Sequence, residues 1–133
     1  MKYLLDTDTF SHIAREASVA LMTKVRSVAL GELAVSVISR GEIEYGLAAN
    51  APKRDTLERS LALLGLMTTL DLPAAAAPRY RDLRVHLKRQ GTPIGPNDMW
   101  IAAHALAQDL TVVTNNEREF TRVPGLKVEN WLR

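Results

Sequence analysis

The sequence predicts an α/β fold, a three-layer α/β/α sandwich around a mostly parallel central sheet. Three short runs, residues 3–5, 33–37 and 110–113, are apolar almost throughout instead of at every second position. Strands of this composition are covered on both faces, as in parallel sheets. Segments with helical spacing lie between these runs, and this alternation implies right-handed crossovers with helices on both sides of the sheet.

Two weaker strand candidates, residues 67–72 and 126–128, complete the expected sheet. Longer helices are indicated where apolar residues recur three or four positions apart. They are expected after Ser39, after Pro52, from about Pro73 to Gly91, and from Asn97 to about Asp109. A short helix is expected after the strand that ends near residue 114. These elements follow one another without a repeat or a linker, so residues 1–133 are expected to form a single domain.

The composition is consistent with such a domain. Hydrophobic residues make up 47% of the chain and charged residues 24%, which allows a buried core. There is no cysteine, so disulfides and thiolate metal sites are excluded. The net charge of +2 is compatible with an acidic partner, although an ordinary surface explains it as well. Basic residues are concentrated in 53–59 and 79–89, where a solvated helix face is favoured over phosphate contacts.

The sequence has no obvious targeting or membrane signal. Its first apolar run ends at Asp6 and is much shorter than the apolar region of a signal peptide. No segment approaches the roughly 20 apolar residues of a membrane-spanning helix. We therefore expect a soluble, cytoplasmic protein that does not associate with membranes.

Acidic side chains follow three of the predicted strands. Asp6 comes directly after the first strand, Glu42 lies early in the helix after the second, and Glu119 lies in the short helix after residue 114. The carboxyl ends of parallel strands meet at one edge of a sheet, which is where ligands bind in such folds. Asp98 opens another helix, but no strand directly precedes it. Sequence position alone therefore does not place Asp98 at this edge.

Each of these acids has an alternative explanation as a helix cap. Ser39 and Glu42 have the S-x-x-E spacing of a capping box, and Asn116 and Glu119 have the same spacing with asparagine as the cap. The two aspartates could likewise favour the positive end of a helix. Taken one at a time, capping is the more frequent role for such residues.

The four acids together favour a metal site. Carboxylates that converge in one cleft repel one another by about 1–4 kcal/mol per pair at 4 Å, and a divalent cation relieves this repulsion. Oxygen ligands without histidine or cysteine suit Mg²⁺ or Mn²⁺. Such an ion can polarise a phosphoryl oxygen and activate a water molecule. The three histidines have no metal-ligand spacing, and His104 is expected to be structural because it lies on an alanine-rich face.

Four segments resemble a known family. Residues 4–8, L-L-D-T-D, resemble the L-D-T-N opening of PIN-domain ribonucleases. Residues 91–98, G-T-P-I-G-P-N-D, and 113–120, V-T-N-N-E-R-E-F, resemble two further segments of VapC-type toxins. Residues 123–131, V-P-G-L-K-V-E-N-W, are similar to their C-terminal segment. The second and third segments, in this order, are the specific part of the resemblance.

The resemblance implies an activity and a set of partners. Such proteins are Mg²⁺- or Mn²⁺-dependent endoribonucleases of toxin–antitoxin systems, and they commonly cleave tRNA or other structured RNA. They are usually homodimers that a VapB-like antitoxin silences. Carried over to this sequence, the resemblance makes Asp6 and Asp98 the principal metal ligands. It adds Glu42 and Glu119 as the further catalytic acids of the site.

Two positions depart from the family pattern. Asp8 stands where many relatives have asparagine, so it either adds negative charge near the site or caps the first helix. Asn116 stands where some relatives have aspartate, which leaves open whether one metal or two would bind and gives Glu119 more weight. Other polar residues are expected to hold the ligands by hydrogen bonds. They are Thr7, Asn97, Thr114, Asn115 and, through its amide, Asn116.

Two other functions are compatible with parts of the sequence. The D-T-D segment also resembles haloacid-dehalogenase phosphatases, in which Asp6 would attack phosphorus and Asp8 would be the general acid. Those enzymes need a lysine and an acid pair beyond Thr114, where Lys127 is the only lysine. The second alternative is a module that binds RNA or a protein partner without cleaving. The presence of all four acids argues against it.

Overall fold

The computed structural model describes residues 1–132 as five strands, seven α-helices and one short 3₁₀ helix. We number the strands and α-helices in chain order. The strands are β1 (Tyr3–Leu5), β2 (Leu33–Ser36), β3 (Thr68–Leu70), β4 (Thr111–Val113) and β5 (Lys127–Glu129). The helices are α1 (Thr7–Ala14), α2 (Val19–Ser27), α3 (Val37–Ala49), α4 (Arg54–Leu66), α5 (Ala76–Gln90), α6 (Pro96–Gln108) and α7 (Glu117–Phe120), and the 3₁₀ helix is Leu30–Glu32.

The five strands form one sheet in the order β3-β2-β1-β4-β5, and every neighbouring pair is parallel. Tyr3 at the start of β1 is in register with Leu33 on one side and Thr111 on the other. The carboxyl ends of the strands therefore lie along one edge of the sheet. The predicted fold class, an α/β sandwich with a parallel sheet, is confirmed.

Hydrophobic cores cover both faces of the central strands. One face of β1 presents Leu4 to a core that contains residues of α5 and α6. The other face presents Leu5 to a core that contains residues of α1, α2, α3 and α4. Leu4 and Leu5 are both fully buried, which explains why β1 reads as a continuous apolar run.

The structure differs from the prediction in the first residues of two helices and in one additional helix. Helix α3 begins at Val37, not after Ser39, because the Ser36 side chain caps it by accepting a hydrogen bond from the Ile38 amide at 3.2 Å. Helix α5 begins at Ala76, after a turn that starts near Pro73. Helix α2 has no predicted counterpart. No helix within residues 1–132 is long and apolar enough to cross a membrane.

Candidate active site

Asp6 lies at the centre of the carboxyl edge, between the ends of β1 and β4. Its Oδ1 accepts a hydrogen bond from the Thr9 amide at 2.8 Å, so Asp6 is the N-cap of α1. Its Oδ2 accepts a hydrogen bond from the Thr114 hydroxyl, which directly follows β4. Burial raises the pKa of Asp6, whereas the bonds from Thr114 and Thr9 act in the opposite direction. Asp6 therefore combines the capping role with a buried place in the site.

Glu42 points its carboxylate toward the start of α1. The Thr7 hydroxyl donates a hydrogen bond to Glu42 Oε1 at 2.8 Å, across the gap between α1 and α3. The alternative capping box is wrong, because α3 begins at Val37 and Ser39 is already inside the helix. The buried Ser39 hydroxyl has no hydrogen-bond partner within residues 1–132. Glu42 is thus available to the site and is oriented by Thr7.

Asp98 lies in the first turn of α6, where the charges of the other three acids act on it. Burial, a side-chain hydrogen bond with Glu119, and the negative charges of Glu119, Asp6 and Glu42 raise the pKa of Asp98 from 3.8 to about 7. The N-terminus of a helix normally favours the ionised carboxylate. Burial and like charges outweigh that effect here.

Glu119 is held by its own short helix. The Asn116 side-chain amide donates a hydrogen bond to Glu119 Oε2, and the Asn116 backbone amide donates one to Thr114 Oγ1 at 2.8 Å. Asn116 precedes α7, but its side chain makes no capping hydrogen bond to the helix backbone. The predicted role of Asn116 as a side-chain cap is therefore wrong. Asn116 and Thr114 instead connect Glu119 to Asp6 through a chain of hydrogen bonds.

The remaining predicted site residues are less closely involved. Asp8 is exposed, and its charge is the smallest of the causes that raise the pKa of Asp6. The Asp8 backbone carbonyl accepts a hydrogen bond from His12 Nδ1 at 2.6 Å. Asn97 and Asn115 are exposed, and their side chains make no hydrogen bond within residues 1–132. A role for these three side chains stays a prediction.

The donor chemistry of the four acids fits a hard divalent cation. All the charged donors are carboxylate oxygens, and burial together with the nearby negative charges raises the pKa of Asp98. Within residues 1–132, no three histidine, aspartate or glutamate side chains are already close enough together to form a preformed metal cluster. Asp6, Glu42, Asp98 and Glu119 are the side chains that would hold a cation, and the ion would offset their repulsion. Together they could support hydrolysis of a phosphate ester.

Sequence reasoning missed one polar contact beneath this site. Ser36 and His104 are fully buried, and His104 Nδ1 lies 2.9 Å from Ser36 Oγ. His104 Nε2 lies 3.0 Å from Gln108 Oε1 in the next turn of the same helix. The available signal was a serine at the end of an apolar strand, directly before a helix. Ser39 obscured it, because Ser39 offered a second possible cap.

Comparison with known proteins identifies the family. The PIN domain profile matches residues 3–126. A ribonuclease VapC2 of Haemophilus influenzae is 35% identical over 136 residues, which cover 99% of each chain. This chain belongs to the VapC family of PIN-domain proteins. Another VapC relative, a tRNA(fMet)-specific endonuclease of Shigella flexneri, is 38% identical and covers 98% of each chain.

Solved VapC-family structures have the same fold. VapBC2 of Rickettsia felis, bound to a DNA fragment from its promoter, contains a chain with a TM-score of 0.85 and 31% identity to this VapC chain. That match covers 98% of this chain and 99% of the other. A chain of VapBC-1 from Haemophilus influenzae has a TM-score of 0.86 and 27% identity over the full length of both. The VapC resemblance of the sequence motifs is therefore confirmed.

Proposed function

We propose that this protein is a Mg²⁺- or Mn²⁺-dependent endoribonuclease and the toxin of a toxin–antitoxin pair. The observation that carries the proposal is that hydrogen bonds hold Asp6, Glu42 and Glu119 at one edge of the sheet. The raised pKa of Asp98 is consistent with its position beside them. Relatives of the same length are called ribonucleases, and one is called a tRNA(fMet)-specific endonuclease. These names support RNA hydrolysis as the reaction.

The partners follow from the same relatives. Several similar structures are VapBC complexes, so we propose a VapB-like antitoxin as the protein partner. We propose tRNA or another structured RNA as the substrate, because one relative is named for tRNA(fMet). The proposal also treats the chain as one nuclease domain that forms a homodimer and works in the cytoplasm.

In the proposed mechanism, Asp6 and Asp98 are the principal metal ligands, with Glu42 and Glu119 beside them. The bound cation supplies a Lewis acid for the phosphate and for the attacking water. Thr114 and the Thr9 amide hold the Asp6 carboxylate in one orientation. Restrained carboxylates lose little conformational entropy when they engage a ligand.

The other two acids are restrained in the same way. Thr7 fixes Glu42 by a hydrogen bond of 2.8 Å, and Asn116 fixes Glu119. Asp98, with a pKa of about 7, is partly protonated at neutral pH, and a neighbouring cation favours its ionised form. Asp98 is therefore the acid whose charge state depends most on occupation of the site.

The phosphatase alternative requires a lysine near Asp6, and Lys127 does not lie there. Lys127 is the first residue of β5, so it lies at the edge of the sheet opposite to the acids. Its Nζ forms an ion pair with Asp109 Oδ1 at 2.9 Å. Because the strands are all parallel, a residue that starts β5 cannot support a nucleophile that follows β1.

The central test is RNA cleavage by an Asp98→Asn variant. Purified protein is incubated with total RNA in Mg²⁺ or in excess chelator, and cleavage sites are mapped. Wild-type protein should cleave only with the metal, and Asp98→Asn should reduce cleavage by at least about 100-fold, because lost metal contacts cost this much or more. Para-nitrophenyl phosphate in parallel reports phosphatase activity.

Asp109→Asn is the matched control. It makes the same chemical change at the opposite edge of the sheet, and asparagine tolerates the left-handed backbone of this position, with φ of 54°. It should cleave RNA like the wild type. Cleavage by Asp98→Asn at the wild-type rate, or full activity in excess chelator, would contradict the proposed mechanism.

A further inference from the structure

A single buried hydrogen bond connects the two helices that carry Asp98 and Glu42. His104 of α6 contacts Ser36, the N-cap of α3, at 2.9 Å between Nδ1 and Oγ. Both residues are fully buried. Within residues 1–132 this is the only side-chain hydrogen bond between α6 and α3 with its cap. Ile38 of α3 also packs against the apolar core that contains Ala102 of α6.

The proton positions in this contact follow from its neighbours. Ser36 Oγ already accepts a hydrogen bond from the Ile38 amide at 3.2 Å, so its own hydrogen is free to donate. His104 Nδ1 is then the acceptor. His104 Nε2 carries the ring proton and donates it to Gln108 Oε1 at 3.0 Å. Burial lowers the pKa of His104, which is consistent with this neutral tautomer.

The hydrogen bond between His104 and Ser36 joins the helices that carry Asp98 and Glu42. Asp98 is in the first turn of α6 and His104 follows it in the same helix, whereas Glu42 follows Ser36 along α3. A helix transmits a displacement at one turn to its neighbouring turns, because its backbone hydrogen bonds keep it stiff. A fixed distance between His104 and Ser36 therefore restrains the distance between the Asp98 and Glu42 carboxylates.

We propose that His104 is a positioning residue for the metal site, acting through Ser36. Its ring keeps α6 and the start of α3 at the spacing at which the acids on the two helices can share one cation. This inference rests on the proposed function, since it takes Asp98 and Glu42 as metal ligands. It assigns His104 a role beyond filling the core.

The experiment compares two amide substitutions that each imitate one ring nitrogen. An asparagine oxygen lies close to the former position of Nδ1, so His104→Asn can still accept from Ser36. A glutamine amide extends toward the former position of Nε2, so His104→Gln loses that bond. Mn²⁺ binding to the full-length protein is measured by calorimetry and by the electron paramagnetic resonance signal of the free ion. We expect His104→Gln to bind Mn²⁺ about tenfold more weakly, as when other outer hydrogen bonds of metal sites are lost.

His104→Asn should stay near the wild-type affinity. Urea unfolding of both variants separates positioning from general stability, because both remove part of a buried ring and should lose similar stability. The variants differ in the contact they keep, since His104→Asn retains the one with Ser36 and His104→Gln retains the one with Gln108. Equal weakening of Mn²⁺ binding by both variants, or wild-type affinity in His104→Gln, would overturn the inference.

Serine variants give an independent test if His104→Gln does not fold. Ser36→Ala removes the partner hydroxyl together with the cap of α3, so it should weaken Mn²⁺ binding at least as much as His104→Gln. Ser39→Ala is its matched control, because Ser39 is equally buried on the same helix but has no hydrogen-bond partner within residues 1–132. It should bind Mn²⁺ like the wild type.

The two proposals fail in different ways. Wild-type affinity in Ser36→Ala would overturn the positioning role alone. A wild-type protein that neither binds Mn²⁺ nor cleaves RNA would contradict the proposed function, and the positioning role would fall with it.

Discussion

At the scale of single residues, Asp98 carries the least compensated charge of the site. Asp6 receives hydrogen bonds from Thr114 and Thr9, and Glu42 receives one from Thr7. The partner of Asp98 is instead the carboxyl group of Glu119. Burial, followed by this contact and the nearby negative charges, raises the pKa of Asp98 to about 7. Two carboxyl groups in contact can share a proton, but they cannot both ionise without repulsion.

This arrangement predicts how stability depends on pH in the metal-free protein. The pKa of Asp98 is 3.8 in the unfolded chain and about 7 in the fold, so the folded state binds an extra proton between these values. The contribution of Asp98 to stability is therefore highest at the acidic end of this window and falls as pH rises through it. Asp98→Asn should flatten this decline and stabilise the protein above pH 7 by about 1 kcal/mol, the low end of like-charge repulsion.

The measurement is urea unfolding in chelator across this pH range. Asp6 and His104 also have shifted pKa values, but both residues are present in the two proteins, so the difference in slope reports the Asp98 carboxyl group and its interaction with the neighbouring acids. Asp109→Asn should retain the wild-type slope. An equal slope in Asp98→Asn and wild type would show that Asp98 is not the perturbed group.

Three of the four site acids could be placed from the sequence pattern alone, whereas Asp98 could not, and the difference has a physical reason. Asp6, Glu42 and Glu119 each follow a strand, so the geometry of a parallel sheet brings them to one edge. Asp98 follows no strand, and only the family resemblance pointed to it. Its position depends on how the chain returns between α5 and α6, which is a tertiary property.

At the scale of elements, residues 91–96 explain how the chain turns back between α5 and α6. Gly91 ends α5 in the left-handed conformation, with φ of 67°. The amides of Gly91 and Thr92 bond back to carbonyls in the last turns of α5, which closes the helix. Pro93 cannot extend α5, and Pro96 starts α6 at a position where its missing amide hydrogen costs nothing. The G-T-P-I-G-P-N-D motif thus ends α5 and begins α6, and in this way it determines the position of Asp98.

Gly91→Ala should destabilise the protein by about 1–2 kcal/mol, the cost of a left-handed conformation for a residue with a side chain. A Cβ at Gly91 would meet no atom within 4 Å, so the cost is conformational, not steric. Gly41→Ala is the matched control, since Gly41 is exposed in the middle of α3 and also has open space around it. It should stabilise the fold by about 0.5–1 kcal/mol. Thermal unfolding of both variants tests the pair, and equal effects would contradict this account.

Helices were predictable where their pattern is strong and their caps are unambiguous. Helix α5 ends at the glycine that the sequence indicates, and α4 follows Pro52 as expected. Helix α2 escaped prediction because Leu21 is its only fully covered residue, so it shows little periodicity. The start of α3 was misjudged because Ser36 and Ser39 are both plausible caps, and it is Ser36 whose side chain accepts the capping hydrogen bond from the Ile38 amide.

At the scale of the whole molecule, the parallel topology concentrates like charges. Acids that lie more than a hundred residues apart in sequence, such as Asp6 and Glu119, come to the same edge of the sheet because their strands β1 and β4 are adjacent. The apolar cores on both faces of the sheet keep these strands in register. The packing of these cores therefore offsets the repulsion among the acids. A cation that binds only the folded state should stabilise the whole chain.

A metal-linked rise in Tm is the resulting prediction. Mn²⁺ at about 100 times its Kd should add about 2.7 kcal/mol, or roughly 10 °C in Tm for a chain of this size. Asp98→Asn should lose most of this rise, and Asp109→Asn should keep it. NaCl at matched ionic strength is the necessary comparison, because salt also screens exposed charges. If NaCl raised the Tm as much as Mn²⁺ does, the acids would be responding to ionic strength alone, whereas a saturable rise specific to the divalent ion requires a site that the intact cluster forms.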